Sequence, residues 1–307
     1  MAADVTIGRA GDPSAATARL AEAAAKVPSP AQRRRRRRIR VAVNYLVLTL
    51  SAIVVLLPVY VTIAFSLQTG TQALQFPGSL FPTELDLSVF QRVFEVSGIG
   101  RYLINSALVA GLITLGQVVT SILAAYVFAE LQFKGRNLLF VAFLATLMVP
   151  AEVTIVANYD TIVSLGWLDS YQGLVVPFLA TAFGTFLIRQ AFMGIPRDLR
   201  DAAKLDGYGH MGFLWSVAVP LARPSIAALS VFSFLLAWNQ YLWPLLITNE
   251  DDFRTVQIGL RTLASSNITE FNLVFAGTVI ASIPIFVLLI VFQKQLVRGL
   301  TSGAVKG

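Results

Sequence analysis

Long apolar runs separated by short polar segments dominate this sequence. A helix needs about 20 apolar residues to cross about 30 Å of hydrocarbon, and six runs reach that length. They cover roughly 42–66, 103–129, 137–157, 171–192, 225–247 and 273–293. The pattern predicts an all-α integral membrane protein with six transmembrane helices.

Composition agrees with this pattern and sets the domain boundaries. Of the 307 residues 56% are hydrophobic and 13% charged, and the mean hydropathy is +0.69. Such runs exceed what a soluble helix carries. We expect a disordered basic cytoplasmic extension over 1–40, one transmembrane domain over 41–300 and a cytoplasmic tail over 301–307. Without cysteine, disulfides and thiol ligands are excluded, and a lone histidine, His210, excludes a multi-histidine metal site.

The net charge of +7 comes mainly from the arginines at 33–38 and Arg40. This run could bind nucleic acid, contact anionic lipid or fix the orientation of the first span. Its position beside that span favours the last two interpretations, so we expect membrane lipid and no nucleic acid as a partner. With a cytoplasmic N-terminus, 20 of the 24 lysines and arginines fall on the inner side, which predicts that both termini are cytoplasmic.

One polar stretch, 198–224, interrupts the apolar pattern between the fourth and fifth spans. Asp201, Ala202, Ala203 and Lys204 fit a short helix, and Gly207 allows the backbone to leave the right-handed helical region. The two alanines would leave a shallow face for another protein, to which Asp201 offers a carboxylate.

The sequence DAAKLDG followed by VPLARP resembles the EAA loop of ABC-transporter permeases. The resemblance implies a type I ABC importer bundle in which Asp201, Ala202, Ala203, Asp206, Gly207 and Pro220 couple the permease to the ATPase. Two positions depart from the family pattern. Asp201 stands where the family usually has Glu, and Tyr208 where it usually has Ala.

The same resemblance implies the rest of the assembly. It would contain a second permease subunit, two nucleotide-binding ATPase subunits and an extracytoplasmic solute-binding protein in the cell membrane. No GxxxxGK[ST] phosphate loop occurs in the sequence, so this chain is not expected to be an enzyme, and ATP and Mg would be bound by the partner subunits. The rival class is an ATP-independent channel or secondary carrier.

The segment AWNQYLWPLLITN looks like the corresponding part of carbohydrate-uptake permeases, especially importers of glycerol 3-phosphate or its diesters. An aromatic belt at the membrane interface could be formed by Trp238, Tyr241 and Trp243. Alternatively, with Asn239 and Gln240 they could line the solute pathway, because amides and aromatic faces hold hydroxyl-rich molecules. Both interpretations stay open. Glu152 is a further pathway candidate.

The segments assigned to the outer side do not identify the substrate. Leu87, Phe90, Val93 and Phe94 fall at helical spacing, which predicts an amphipathic helix resting on the bundle or membrane. Four outer arginines are too few and scattered to decide between a neutral sugar and a glycerol phosphate: Arg92, Arg101, Arg254 and Arg261.

Overall fold

The computed structural model describes residues 30–73, 80–266 and 270–301. The chain divides into two compact units, Met1–Tyr60 and Val61–Gly307. Residues 1–29 of the predicted extension and 302–307 of the predicted tail lie outside the described residues.

All regular secondary structure in the described part is helical. The α-helices, in chain order, are α1 (Pro30–Ser66), α2 (Gly70–Ala73), α3 (Ser88–Val96), α4 (Ile99–Glu130), α5 (Arg136–Ala145), α6 (Ala151–Ser164), α7 (Tyr171–Val175), α8 (Ala182–Met193), α9 (Arg197–Leu205), α10 (His210–Phe213), α11 (Val219–Leu221), α12 (Arg223–Trp238), α13 (Leu242–Ile247), α14 (Val256–Ser266) and α15 (Phe271–Thr301). Short 3-10 turns follow α5, α7 and α13 at Thr146–Met148, Val176–Phe178 and Asp251–Phe253, and a π-helical turn occupies Leu214–Ala218.

The long helix α1 begins at Pro30, before the boundary at residue 40 that the sequence predicts for the extension, so the arginine run is part of the helix. Between Ile39 and Tyr60 its large apolar side chains are exposed around the whole helix. A helix that is apolar on every side suits a lipid environment rather than a soluble surface.

The predicted spans appear as three long helices and three bent pairs. Among the described residues, α1, α4 and α15 are long and apolar enough to cross a membrane, and six spans result if each bent pair counts as one. The pairs bend by 97° near Pro150, by 47° after Pro177 and by 77° just before Pro224. Proline removes a backbone donor and restricts the preceding residue, which explains breaks at these places.

Helix α4 lies at the centre of the second unit and packs against α8 and α12. Small residues allow the close approach: a Cβ on Gly184 would lie 2.4 Å from the Ser121 hydroxyl oxygen, and one on Gly116 would lie 2.3 Å from the Leu179 side chain. Two further small residues of α4, Ser106 and Ala110, are also buried. Such contacts are how helices associate closely in lipid.

The break before α8 frees backbone carbonyls that α4 satisfies. Gln117 donates to the carbonyl of Phe178 at 2.9 Å, and Thr120 donates to that of Leu179 at 2.8 Å. Ser233 of α12 in turn donates to the Gln117 side-chain oxygen at 2.6 Å. In lipid, a broken helix is tolerated when neighbouring side chains bind the freed groups in this way.

The amphipathic helix predicted between the first two spans exists as α3, and two of its four predicted apolar residues, Phe90 and Val93, pack inward. Val89 and Val93 are fully buried against the bundle. Leu87 and Phe94, which were expected on the buried side, are exposed. Leu87 precedes the helix, and the predicted set missed Val89, which lies four residues before Val93 on the same face.

Asp169 ties the loop before α7 to the loop after α13. Its backbone N–H donates to the Ile247 carbonyl at 3.0 Å, and its carboxylate accepts from the backbone N–H groups of Asn249 and, at 2.8 Å, Glu250. Partial desolvation raises its pKa, but these hydrogen bonds outweigh it and hold the pKa below its usual range. The residue has a φ of 47°, a left-handed conformation that Asp tolerates better than most residues do.

We expect Asp169→Ala to destabilise the protein by roughly 1 kcal/mol at neutral pH, because two backbone donors lose their acceptor. Asp169→Asn is the matched control, since it keeps an oxygen acceptor and tolerates a positive φ. A carboxylate whose pKa is lower in the folded protein than in the unfolded chain stabilises the folded state at pH values above the unfolded pKa of about 3.9. This contribution is lost as the pH falls below that value. Thermal unfolding in detergent should therefore show that wild type is more stable than Asp169→Ala at pH 7. This difference in stability should shrink below pH ~4. An equal difference at both pH values would contradict this role.

Candidate functional site

The helix α9 carries the acidic-Ala-Ala motif and is built by strong local signals. Asp198 lies in its first turn and Lys204 in its last, so both complement the helix dipole. Gly207, with a φ of 81°, ends it in a Schellman motif. The N–H of Gly207 donates to the Lys204 carbonyl at 3.0 Å and that of Tyr208 to the Ala203 carbonyl at 2.9 Å. The predicted short helix and the role of Gly207 are confirmed.

The motif residues do not all face the same way. Asp201 and Ala202 are exposed, as are Asp206 and Gly207 beyond the helix end. Ala203, only 6% exposed, packs into the cluster of apolar side chains beneath the helix. The expectation that both alanines share one exposed face is therefore wrong, because adjacent residues on a helix point about 100° apart.

After Gly207 the chain turns back toward the bundle through α10, the π-helical turn and α11. Phe213, Leu214 and Ala218 are buried on this path. Pro220 is half-buried in the first turn of α11. Its missing N–H removes one helical hydrogen bond next to the π-helical turn, where the backbone is already widened. Pro220 thus lies where the loop enters α12, away from the exposed end of α9.

An ion pair that the sequence did not reveal fastens α9 to the end of α4. A guanidinium nitrogen of Arg200 lies 3.0 Å from a carboxylate oxygen of Glu130, and the two side chains are 23% and 10% exposed. Arg200 also donates to the Phe192 carbonyl at 3.0 Å. The partners are far apart in sequence, and no local pattern links them.

A second contact joins α10 to α4. The Tyr126 hydroxyl lies 3.1 Å from Nδ1 of His210, and its ring packs edge-on against Phe192. His210 is exposed, as expected for the loop. Together with the ion pair, this contact borders a cavity of about 180 Å³ between α4 and the loop.

The predicted pathway segment lies at the break between α12 and α13. Trp238 is 2% exposed and stacks on Phe234 with ring centroids 5.5 Å apart. Asn239 is exposed and accepts a 3.3 Å hydrogen bond from the Gln257 amide of α14. Gln240 is half-buried.

Tyr241 completes this segment. Its hydroxyl accepts a hydrogen bond from Arg261 of α14, whose guanidinium carbon lies 5.6 Å from the ring centroid. The nearby Trp243 is buried and donates to the Gly173 carbonyl at 3.0 Å. Because Trp238 and Trp243 are enclosed by protein, the aromatic-belt interpretation does not apply to these two residues.

Glu152 lies exposed in the first turn of α6, directly after the break at Pro150. A carboxylate in this position complements the positive end of the helix dipole. Across the described ranges, no three His, Asp or Glu side chains come close enough together to hold a metal ion.

We expect reversal of either partner of the Glu130–Arg200 pair to destabilise the protein by about 1–3 kcal/mol, because a largely buried charge loses its partner. The double variant Glu130→Arg with Arg200→Glu should recover most of that loss in a double-mutant cycle of thermal stability. The control pair, Arg101 and Asp252, is 2.8 Å apart but 60% and 58% exposed, and its cycle should give under about 1 kcal/mol. An equal coupling free energy in both cycles would show that burial gives the Glu130–Arg200 pair no additional stabilising effect.

The fold matches solved transporter structures. A bacterial ABC transporter involved in the import of the acidic polysaccharide alginate superposes with a TM-score of 0.75 at 23% identity, covering 87% of this chain and 98% of that one. A bacterial alginate ABC transporter in complex with an alginate pentasaccharide-bound periplasmic protein gives 0.59 at 15% identity, covering 83% and 93%. The predicted permease fold is confirmed.

Sequence comparison gives the family. The sn-glycerol-3-phosphate transport system permease protein UgpE of Yersinia pestis bv. Antiqua (strain Antiqua) is 37% identical over 264 residues, covering 82% of this chain and 93% of the relative. UgpE of Brucella abortus (strain 2308) is 37% identical over 263 residues, covering 83% and 93%. The family model of the binding-protein-dependent transport system inner membrane component matches residues 117–302. The chain therefore belongs to the family of inner membrane components of binding-protein-dependent transport systems.

Proposed function

We propose that this permease forms half of the translocation path of an ATP-driven importer and that the loop 198–224 couples it to the ATPase. The observation that carries the proposal is the arrangement of α9. Its exposed side presents Asp201 and Ala202, while its other side is held to α4 by Arg200 and Glu130. Because one side of α9 is exposed and the other is attached to α4, a displacement of α9 by a partner would be transmitted to the bundle.

The partners follow from the family and from the chemistry this chain lacks. The sequence has no phosphate loop, so the energy comes from two nucleotide-binding subunits that bind ATP and Mg. A second permease subunit supplies the other half of the path, and a solute-binding protein delivers the solute from outside. Closure of the ATPase pair moves α9 and turns the permease pair from inward-facing to outward-facing, and hydrolysis resets it.

The solute we propose is a phosphate-bearing polyol of the glycerol 3-phosphate type. The curated relatives at 37% identity are named for glycerol 3-phosphate transport, and one structural neighbour imports an acidic polysaccharide. Both names describe anionic, hydroxyl-rich solutes. Trp238, Asn239, Gln240 and Tyr241, at the break after α12, are the pathway residues we assign, with Glu152 as a further candidate.

We infer that both termini and the loop 198–224 face the cytoplasm. Support comes from the lysines and arginines, of which 20 of 24 lie on that side in this orientation. Exposure of α9 toward the cytoplasm is also what coupling to an ATPase requires.

Coupling is tested in the reconstituted complex with its partner subunits and loaded binding protein. Asp201→Arg reverses the exposed charge of α9 and should reduce both solute uptake and stimulated ATP hydrolysis more than tenfold, equivalent to about 1.4 kcal/mol or more. Glu84→Arg, which reverses an exposed charge in the segment before α3, serves as the control and should stay within twofold of wild type. Full uptake by the Asp201 variant would remove the coupling role. Uptake without any ATPase subunit would instead identify a channel or secondary carrier.

Orientation is tested by labelling single cysteines, since the natural chain has none. A membrane-impermeant maleimide applied to intact cells should label Glu250→Cys in the outer loop. Gly209→Cys, in the loop after α9, should be labelled only after the membrane is permeabilised. The reverse pattern would place the termini and the loop outside.

A further inference from the structure

Three of the four arginines assigned to the outer side are neutralised by carboxylates. The pairs are Arg92 with Glu270 at 2.6 Å, Arg101 with Asp252 at 2.8 Å and Arg254 with Asp251 at 2.5 Å. Arg261 differs, because no described carboxylate lies within ion-pair distance of its guanidinium. Of these four arginines, which looked scattered in the sequence, Arg261 is thus the one without a carboxylate partner in the described part of the chain.

Arg261 is oriented by the proposed pathway segment. It donates to the hydroxyl of Tyr241, in the break between α12 and α13, and its guanidinium carbon lies 5.6 Å from that ring. A guanidinium carries five N–H donors, and Tyr241 is its one hydrogen-bond acceptor within the residues described. The remaining donors are held in place and open to a ligand, because the side chain is exposed.

Groups suited to hydroxyls occur on neighbouring residues of this segment and in the lining of the same cavity. Gln257 lies one helical turn before Arg261 on α14 and donates to the side-chain oxygen of Asn239 at 3.3 Å. The amide oxygen of Gln240 is buried and has no hydrogen-bond partner among the described residues. On its other side, Arg261 borders a cavity of about 270 Å³ together with Thr262 and Ser265. Amides and hydroxyls beside one guanidinium form a set that matches a polyol carrying one anionic group.

We propose that Arg261, oriented by Tyr241, binds the phosphate group of the solute and gives this permease its preference for an anion over a neutral sugar. The inference rests on the proposed function. A guanidinium binds two phosphate oxygens at once with parallel N–H donors, which lysine cannot do. A neutral sugar would leave this charge without a partner in the loaded state.

The test uses the complete complex in proteoliposomes, with binding protein and radiolabelled glycerol 3-phosphate. Uptake and ATP hydrolysis are measured for wild type, Arg261→Gln, Arg261→Lys and Tyr241→Phe. Arg101→Gln is the matched control, because it removes an outer arginine that is paired with Asp252. Recording the amount of each variant in the complex separates assembly from transport.

We expect Arg261→Gln to lower kcat/KM for uptake at least tenfold while stimulated ATP hydrolysis stays within twofold. Arg261→Lys should recover part of the uptake, Tyr241→Phe should lose less than Arg261→Gln, and Arg101→Gln should match wild type. Wild-type uptake by Arg261→Gln would overturn the proposal, as would an equal loss in Arg101→Gln. A loss of stimulated ATP hydrolysis with unchanged uptake per ATP would overturn it in favour of a contact with the binding protein. If wild type takes up no phosphate-bearing polyol, the proposed function itself fails.

Discussion

The structure depends on one constraint, that backbone polar groups of a broken helix must find partners inside the protein because lipid offers none. Three of the six predicted spans are bent pairs, so the constraint applies repeatedly. Gln117 and Thr120 of α4 bind the carbonyls of Phe178 and Leu179 at one break. Trp243 binds the carbonyl of Gly173 nearby. The positions of these three polar side chains are thus explained by the places where helices stop.

The same kind of contact places the functional segments. Asn105, only 2% exposed, donates to the carbonyls of Asp252 and Arg254 at 2.8 and 2.9 Å and accepts from the Tyr171 hydroxyl at 2.8 Å. It thereby fixes the outer loop that leads into α14 and Arg261. At the other end, Arg200 binds the Phe192 carbonyl as well as Glu130. Side-chain donors on backbone acceptors therefore hold in place both segments for which we propose a function, the one that contains Arg261 and the one that contains α9.

The sequence could predict those features of the fold that local signals encode. Apolar length predicted the spans, and Gly207 predicted the end of α9. Contacts between distant residues could not be predicted in this way. The Glu130–Arg200 and Tyr126–His210 contacts join segments 70 and 84 residues apart. Of the outer arginines, pairing in three dimensions, and not position in the sequence, distinguishes Arg261.

Helix α4 touches both ends of this arrangement, with Asn105 near its start and Glu130 as its last residue. It is a continuous helix of 32 residues without proline, roughly 48 Å long at 1.5 Å per residue. A rod of this kind hardly shortens when it is pushed, so under the proposed coupling a tilt imposed at the Glu130 end would reach the Asn105 end in the same step. Opening at one end of the bundle would then be tied mechanically to closing at the other. A permease that worked in this way would never be open at both ends at once and would not leak the ion gradient of the cell.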